Sequence, residues 1–211
     1  MNKKEKGIFI LNILNKLFPD PIIPLTHTDT YTLLIAVLLS AQSTDARVNT
    51  VTPILFKKAS TPEEMIRLEI QQIEEIIRPC GLGPTKAKAI WNLSNILLEK
   101  FNGIVPCDIS ELESLPGVGH KTASVVMIQG FDQPAFPVDT HIHRCAKRWG
   151  LSKGRSVKET EKDLKTIFPK ETWIKLHLQI IYFARQFCPA RKHVIENCPI
   201  CRTLLSGHSG P

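Results

Sequence analysis

No segment of this 211-residue chain is dominated by one residue type, and no sustained internal repeat or Gly/Ser linker divides it. Low-complexity tails and modules joined by a flexible tether are thereby excluded. Long hydrophobic runs are missing too: residues 33–39 with their flanks form the longest, well short of the roughly 20 residues that span a bilayer. A soluble protein with no membrane partner is expected. Alternating strand-like runs are scarce, which argues against a β-rich architecture. An export signal is also lacking. Lys3, Lys4 and Lys6 before Gly7-Ile8-Phe9-Ile10-Leu11 imitate one, but Asn12, Asn15 and Lys16 interrupt the apolar segment, and no small-residue cleavage site precedes Phe18-Pro19. Ile10, Ile13, Leu14 and Leu17 instead fall at helical spacing. The expected compartment is the reducing cytoplasm of a bacterium, where six cysteines serve as free thiols or metal ligands rather than disulfides.

What is present is a foldable, basic chain. Hydrophobic residues make up 43% and charged residues 22%, enough for one large domain or two small ones around a buried core. Lys and Arg number 27 against 20 Asp and Glu, for a net charge of +7 that favours an anionic partner without naming it.

Helix start signals dominate. Thr61-Pro62-Glu63-Glu64 joins an N-cap, a first-turn proline and a capping-box glutamate, with Met65, Leu68, Ile73, Ile76 and Ile77 following at apolar positions. Ser110-Glu111-Leu112-Glu113 and Ser156-Val157-Lys158-Glu159 repeat the capping signal, and residues 86–100 spell another helix after the break at Pro79-Cys80-Gly81. Gly and Pro recur between residues 103 and 137, as short interhelical connections require. The fold class is all-α, and the small, polar residues 206–211 form a fraying end.

The most informative segment is Leu112-Glu113-Ser114-Leu115-Pro116-Gly117-Val118-Gly119-His120-Lys121-Thr122-Ala123. Pro116 stops one helix, Gly117 and Gly119 permit a tight hairpin, and a second helix begins near Lys121. Backbone N–H groups in such a hairpin can approach a phosphate, and the next helix N-terminus adds positive potential. An ordinary interhelical turn would explain the two glycines alone. A second segment, Val138-Asp139-Thr140-His141-Ile142-His143-Arg144, follows downstream.

Together with residues 34–45 and Gly81-Leu82, these motifs closely resemble the endonuclease III branch of helix-hairpin-helix DNA glycosylases, over nearly the whole chain. The resemblance implies two helical domains, residues 22–134 as a six-helix barrel with the hairpin and residues 1–21 plus 135–211 as the second, with the active-site cleft between them. It implies a monomer that binds damaged double-stranded DNA, removes oxidised or ring-saturated pyrimidines and cleaves the abasic site by β-elimination. Lys121 is matched to the Schiff-base nucleophile and Asp139 to its assisting carboxylate. A lysine amine attacks only when unprotonated, which desolvation and a helix N-terminus both favour. Asp139 also suits the N-cap of the helix that follows it. Gln42 and Leu82 are matched to residues that fill the space left by an extruded nucleotide, Gly117, Val118 and Gly119 to the phosphate-binding hairpin, and His141 to a DNA contact. Thr44 and Asp45 extend the match as pocket residues, with Asp45 equally suited to cap a helix from Ala46. Lys86, Lys88, Arg144, Lys147 and Arg148 are expected on the phosphate-facing surface. Two other readings are a monofunctional mismatch glycosylase, which Lys121 argues against, and a non-enzymatic DNA-binding module, which the paired Lys and Asp argue against.

The cysteines depart from the resembled pattern. Cys188, Cys198 and Cys201 are spaced C-x9-C-x2-C, whereas many members of the family carry C-x6-C-x2-C-x5-C around a 4Fe–4S cluster. The first interval is three residues longer and the fourth cysteine is absent, so a loop without the cluster is expected, and the proposed chemistry requires no cofactor. A cluster completed by another donor, or a zinc site of three cysteines with a histidine, are the alternatives, with His193 and His208 nearby in sequence. Cys80, Cys107 and Cys145 are scattered structural thiols.

Overall fold

The structure, a computed structural model, describes residues 1–205; His208 and the rest of the C-terminal end lie outside the described residues. Among the described residues there is no strand, in keeping with the all-α expectation. The helices are α1 (Lys3–Leu17), α2 (Thr30–Ser40), α3 (Asp45–Lys58), α4 (Pro62–Met65), α5 (Ile70–Ile77), α6 (Gly83–Phe101), α7 (Ile109–Ser114), α8 (His120–Gly130), α9 (Thr140–Arg148), α10 (Val157–Ile167), α11 (Trp173–Gln186) and α12 (Pro199–Leu205). No helix among the described residues is long and apolar enough to cross a membrane. The chain divides into two compact units, Ile23–Gln133 and the pairing of Met1–Ile22 with Pro134–Pro211.

In the unit of residues 23–133, the longest apolar run becomes α2. Every residue from Tyr31 to Leu39 is buried, because α3, α6 and α8 surround this helix instead of covering one stripe of it. Asp29 caps its start by accepting from the Thr32 N–H at 2.8 Å. Each fully buried Leu or Ile here contributes about 1.5–3 kcal/mol relative to exposure. α8 lays Ala123, Val125 and Val126 against this core, and Gly130 lets its last turn approach Leu33 and Thr30. That packing leaves the first turn of α8, with Lys121, at the surface.

In the other unit, α1, α9, α11 and α12 bury Ile10, Leu14, Ile142, Phe183 and Leu204 around Trp149, whose indole meets the Phe183 ring edge-on at 5.7 Å. Gln179 Nε2 ties α11 to the end of α1 by donating to Phe18 O at 2.9 Å.

Three local expectations are corrected. The continuous helical periodicity from Pro62 to Ile77 is split into α4 and α5. Trp91 Nε1 donates to Ile66 O at 3.2 Å, a tertiary bond that satisfies a carbonyl at the end of α4. The cap of α7 is Asp108, which accepts from the N–H groups of Ser110 and Glu111, rather than Ser110 itself. Thr44, not Asp45, caps α3, with Asp45 its first residue.

Candidate active site

The hairpin is built from short-range rules. α7 ends at Ser114, Val118 N donates to Leu115 O at 3.1 Å, and α8 begins at His120 with Gly119 as its N-cap. Glu113 Oε1 and His120 Nδ1, 2.6 Å apart, join the two sides. Val118 is buried and anchors the turn, whereas Gly119 and Lys121 are exposed. Lys121 therefore sits exposed in the first turn of α8, at the positive end of the helix dipole.

The two glycines differ in kind. Gly117 has φ +78°, and a Cβ there would lie 2.9 Å from Ala89 Cβ and 3.0 Å from Leu38 Cδ1. Folding alone requires it. A Cβ on Gly119 would meet nothing within 4 Å, so the protein's own packing does not require glycine there. Gly117→Ala is expected to lose about 1–3 kcal/mol of stability. Gly119→Ala is expected to unfold in urea within about 0.5 kcal/mol of the parent while binding duplex DNA several-fold more weakly. Unchanged DNA affinity in an anisotropy titration would show that no phosphate approaches Gly119.

Gln42 and Leu82 stand on neighbouring loops of the same unit. Both are exposed, and both hold left-handed backbone, at φ +56° and +53°. Leu82 is 52% exposed, which rules out a core role. Left-handed backbone costs roughly 1–2 kcal/mol for a residue with a Cβ, so something must hold these loops. Lys86 does. Expected on the phosphate-facing surface, it is instead 4% exposed, and its Nζ donates to Leu39 O (2.9 Å), Ala41 O (2.7 Å) and Cys80 O (3.0 Å). Burial lowers its pKa, offset in part by Cys80, yet three carbonyl acceptors suit an ammonium with three N–H donors. One buried cation thus fixes the backbone just before Gln42 and just before Gly81-Leu82. The signal was present in the sequence: Lys86, Ile90, Leu93 and Leu97 fall on one face of α6, the buried one.

In the other unit, Asp139 caps α9, its Oδ1 accepting from Ile142 N at 2.8 Å. The second carboxylate oxygen is not used by this cap bond. His141 is half-buried, and its Nδ1 lies 3.2 Å from Arg144 Nη2. Arg144 and Arg148 were also expected to face phosphate; both instead grip the cysteine loop. Arg144 Nε and Nη2 donate to Cys188 O at 3.2 and 3.1 Å. Arg148 Nη1 donates to Pro189 O at 2.7 Å and to Cys188 Sγ at 3.3 Å. Lys88 and Lys147 are exposed, as a surface role requires.

The cysteine loop, expected from its spacing to lack the cluster, nevertheless gathers a set of side chains able to hold a metal. The ligand atoms of Cys188, His193, Cys198 and Cys201 all lie within 4.8 Å of one another, and the three cysteines are buried. Cys145, on α9, is buried beside Cys188 and shifts its titration, so it is not an isolated thiol. Cys145, Cys198, Cys201 and Arg148 together hold the Cys188 thiol far below the ordinary thiol range, and Cys145 and Cys201 are pushed up in turn. Cys80 is buried and Cys107 exposed, neither with the others.

Comparison with known proteins assigns the class first. Residues 35–170 match the HhH-GPD superfamily base excision DNA repair protein family. The chain is 45% identical over 195 residues to the endonuclease III of Treponema pallidum (strain Nichols), covering 92% of each. It is similar to a solved non-covalent endonuclease III–DNA complex, with a TM-score of 0.93 at 43% identity over 98% of this chain and 97% of that one. A trapped covalent endonuclease III–DNA intermediate matches with a TM-score of 0.91 at 44% identity, over 95% and 94% of the two chains. Within the superfamily, this chain belongs to the endonuclease III family.

Proposed function

We propose that this chain is a bifunctional base excision repair enzyme of duplex DNA: a glycosylase that removes oxidised or ring-saturated pyrimidines and a lyase that cleaves the resulting abasic site. The observation that carries this reading is the exposed Lys121 amine in the first turn of α8, above a glycine hairpin, in a family whose covalent DNA intermediate has been trapped.

Lys121 Nζ attacks C1′ of the damaged deoxynucleotide as the C1′–N bond to the base breaks and the base departs with a proton. Ring opening leaves an iminium between Nζ and C1′. Loss of a C2′ proton then expels the 3′ phosphate by β-elimination, and water hydrolyses the iminium to regenerate the amine. DNA closing over Lys121 supplies the desolvation that disfavours its ammonium. The carboxylate of Asp139 assists nucleophile activation and stabilises positive charge developing on the sugar. Gln42 and Leu82 occupy the space vacated by the nucleotide, while Gly117, Val118 and Gly119 receive a phosphate and His141 adds a DNA contact. The enzyme acts as a monomer in the bacterial cytoplasm.

Incubation with a duplex containing a defined oxidised pyrimidine, followed by borohydride reduction, is expected to yield a covalent protein–DNA adduct. Processing of the lesion with no trappable adduct would sink the Schiff-base mechanism. Asp139→Asn separates charge from capping, because asparagine caps a helix as well as aspartate. Its unfolding free energy is expected to stay within about 0.5 kcal/mol, while single-turnover base release slows by roughly a hundredfold or more. A full rate in this variant would leave Asp139 with its cap alone.

A further inference from the structure

The geometry points to a single tetrahedral zinc ion held by Cys188, His193, Cys198 and Cys201, with His193 as the ligand that completes the site. A 4Fe–4S cluster, which membership of this family implies, fits these residues poorly. Such a cluster normally takes four thiolates, each on a different iron, and so needs them spread around a cube of iron and sulfide. Here three thiols and one imidazole converge within 4.8 Å, and Cys188 Sγ and Cys201 Sγ are 3.9 Å apart. Zn–S bonds of about 2.3 Å at tetrahedral angles put two thiolates about 3.8 Å apart, which is the observed spacing for one ion.

Three further observations agree. His193 Nε2 is buried with no hydrogen-bond partner, a polar atom left without the bond that its burial calls for. Lys192 holds left-handed backbone at φ +56°, a strained turn immediately before that histidine. Cys198 and Cys201 have the two-residue spacing of a structural zinc half-site. The longer first interval and the missing fourth cysteine then become one change: the extended loop carries His193 to the vacant vertex. Arg148 donates to Cys188 Sγ from outside this donor set, as outer-shell groups do at structural metal sites. The ion joins the two ends of the loop, Cys188 after α11 and Cys201 on α12, and its role is structural, apart from the Lys121 chemistry.

The full chain, purified anaerobically without chelator, is expected to contain one zinc and no iron per molecule and to show no visible absorption. Replacement by Co2+ is expected to produce the intense ligand-field bands of a tetrahedral thiolate site. Zinc-edge absorption spectroscopy of the parent protein should give three sulfur neighbours and one nitrogen, a measurement that does not depend on any variant folding. His193→Ala is expected to bind zinc at least tenfold more weakly, and His193→Cys to retain it with four sulfur neighbours. Four irons per chain with the brown colour of a cluster, a metal-free protein that takes up no zinc, or zinc with no nitrogen neighbour would each overturn the assignment.

Discussion

Lys121→Gln is expected to lose borohydride trapping entirely and to lower abasic-site cleavage on the order of a thousandfold or more, because glutamine has no nucleophilic amine to form the iminium. Lys121 is exposed in the first turn of a helix whose core contacts lie further along, at Ala123, Val125 and Val126. Its truncation should therefore shift the unfolding free energy by no more than about 0.5 kcal/mol. Duplex binding should survive, since the hairpin backbone is unchanged. Rate, trapping and urea stability measured on one preparation separate chemistry from folding. An adduct that persists in the glutamine variant would place the nucleophile on another amine.

The second large effect is expected at a residue outside the reacting groups. Lys86→Met keeps the length of the side chain and removes all three N–H donors, leaving Leu39 O, Ala41 O and Cys80 O without them in the interior. A loss of about 3–5 kcal/mol in urea unfolding is expected, the scale of breaking a buried charged network from one side. The effect should also reach activity, because the same ammonium holds the backbone next to Gln42 and Leu82, whose left-handed conformations relax once it is gone. Nucleotide extrusion, followed with a fluorescent base opposite the lesion, should slow even at temperatures where the variant is fully folded. Lys100→Met, at an exposed position near the end of the same helix, should change neither quantity. A Lys86→Met protein with parental stability would refute the bridging role.

Much of the fold was legible because its signals act over a few residues. The caps at Thr61, Ser156 and Asp139 accept from N–H groups three positions ahead, and the Gly117–Gly119 hairpin is set by backbone sterics over a single turn. What misled were positions governed by distant partners. The break between α4 and α5 involves an indole 25 residues away, and no local residue announces it. Arg144 and Arg148 carry the same charge whether they meet phosphate or a carbonyl of the cysteine loop, 40 or more residues further along.

Sequence alone determined the helical class and the hairpin, since each rests on residue type and short spacing, and the resemblance of two motifs to a known family supplied the chemical candidates Lys121 and Asp139. Tertiary structure decided what the remaining polar side chains do. It turned Lys86 inward onto carbonyls 45 and 47 residues earlier in the chain and 6 residues earlier, and it turned His193 inward among three thiols. Whether a polar group faces water or the interior depends on which segments surround it, and a linear pattern carries that information only where a regular helix repeats it. Lys86 lies on such a helix. His193 follows a strained turn in an irregular loop, where spacing does not say which side chain points inward.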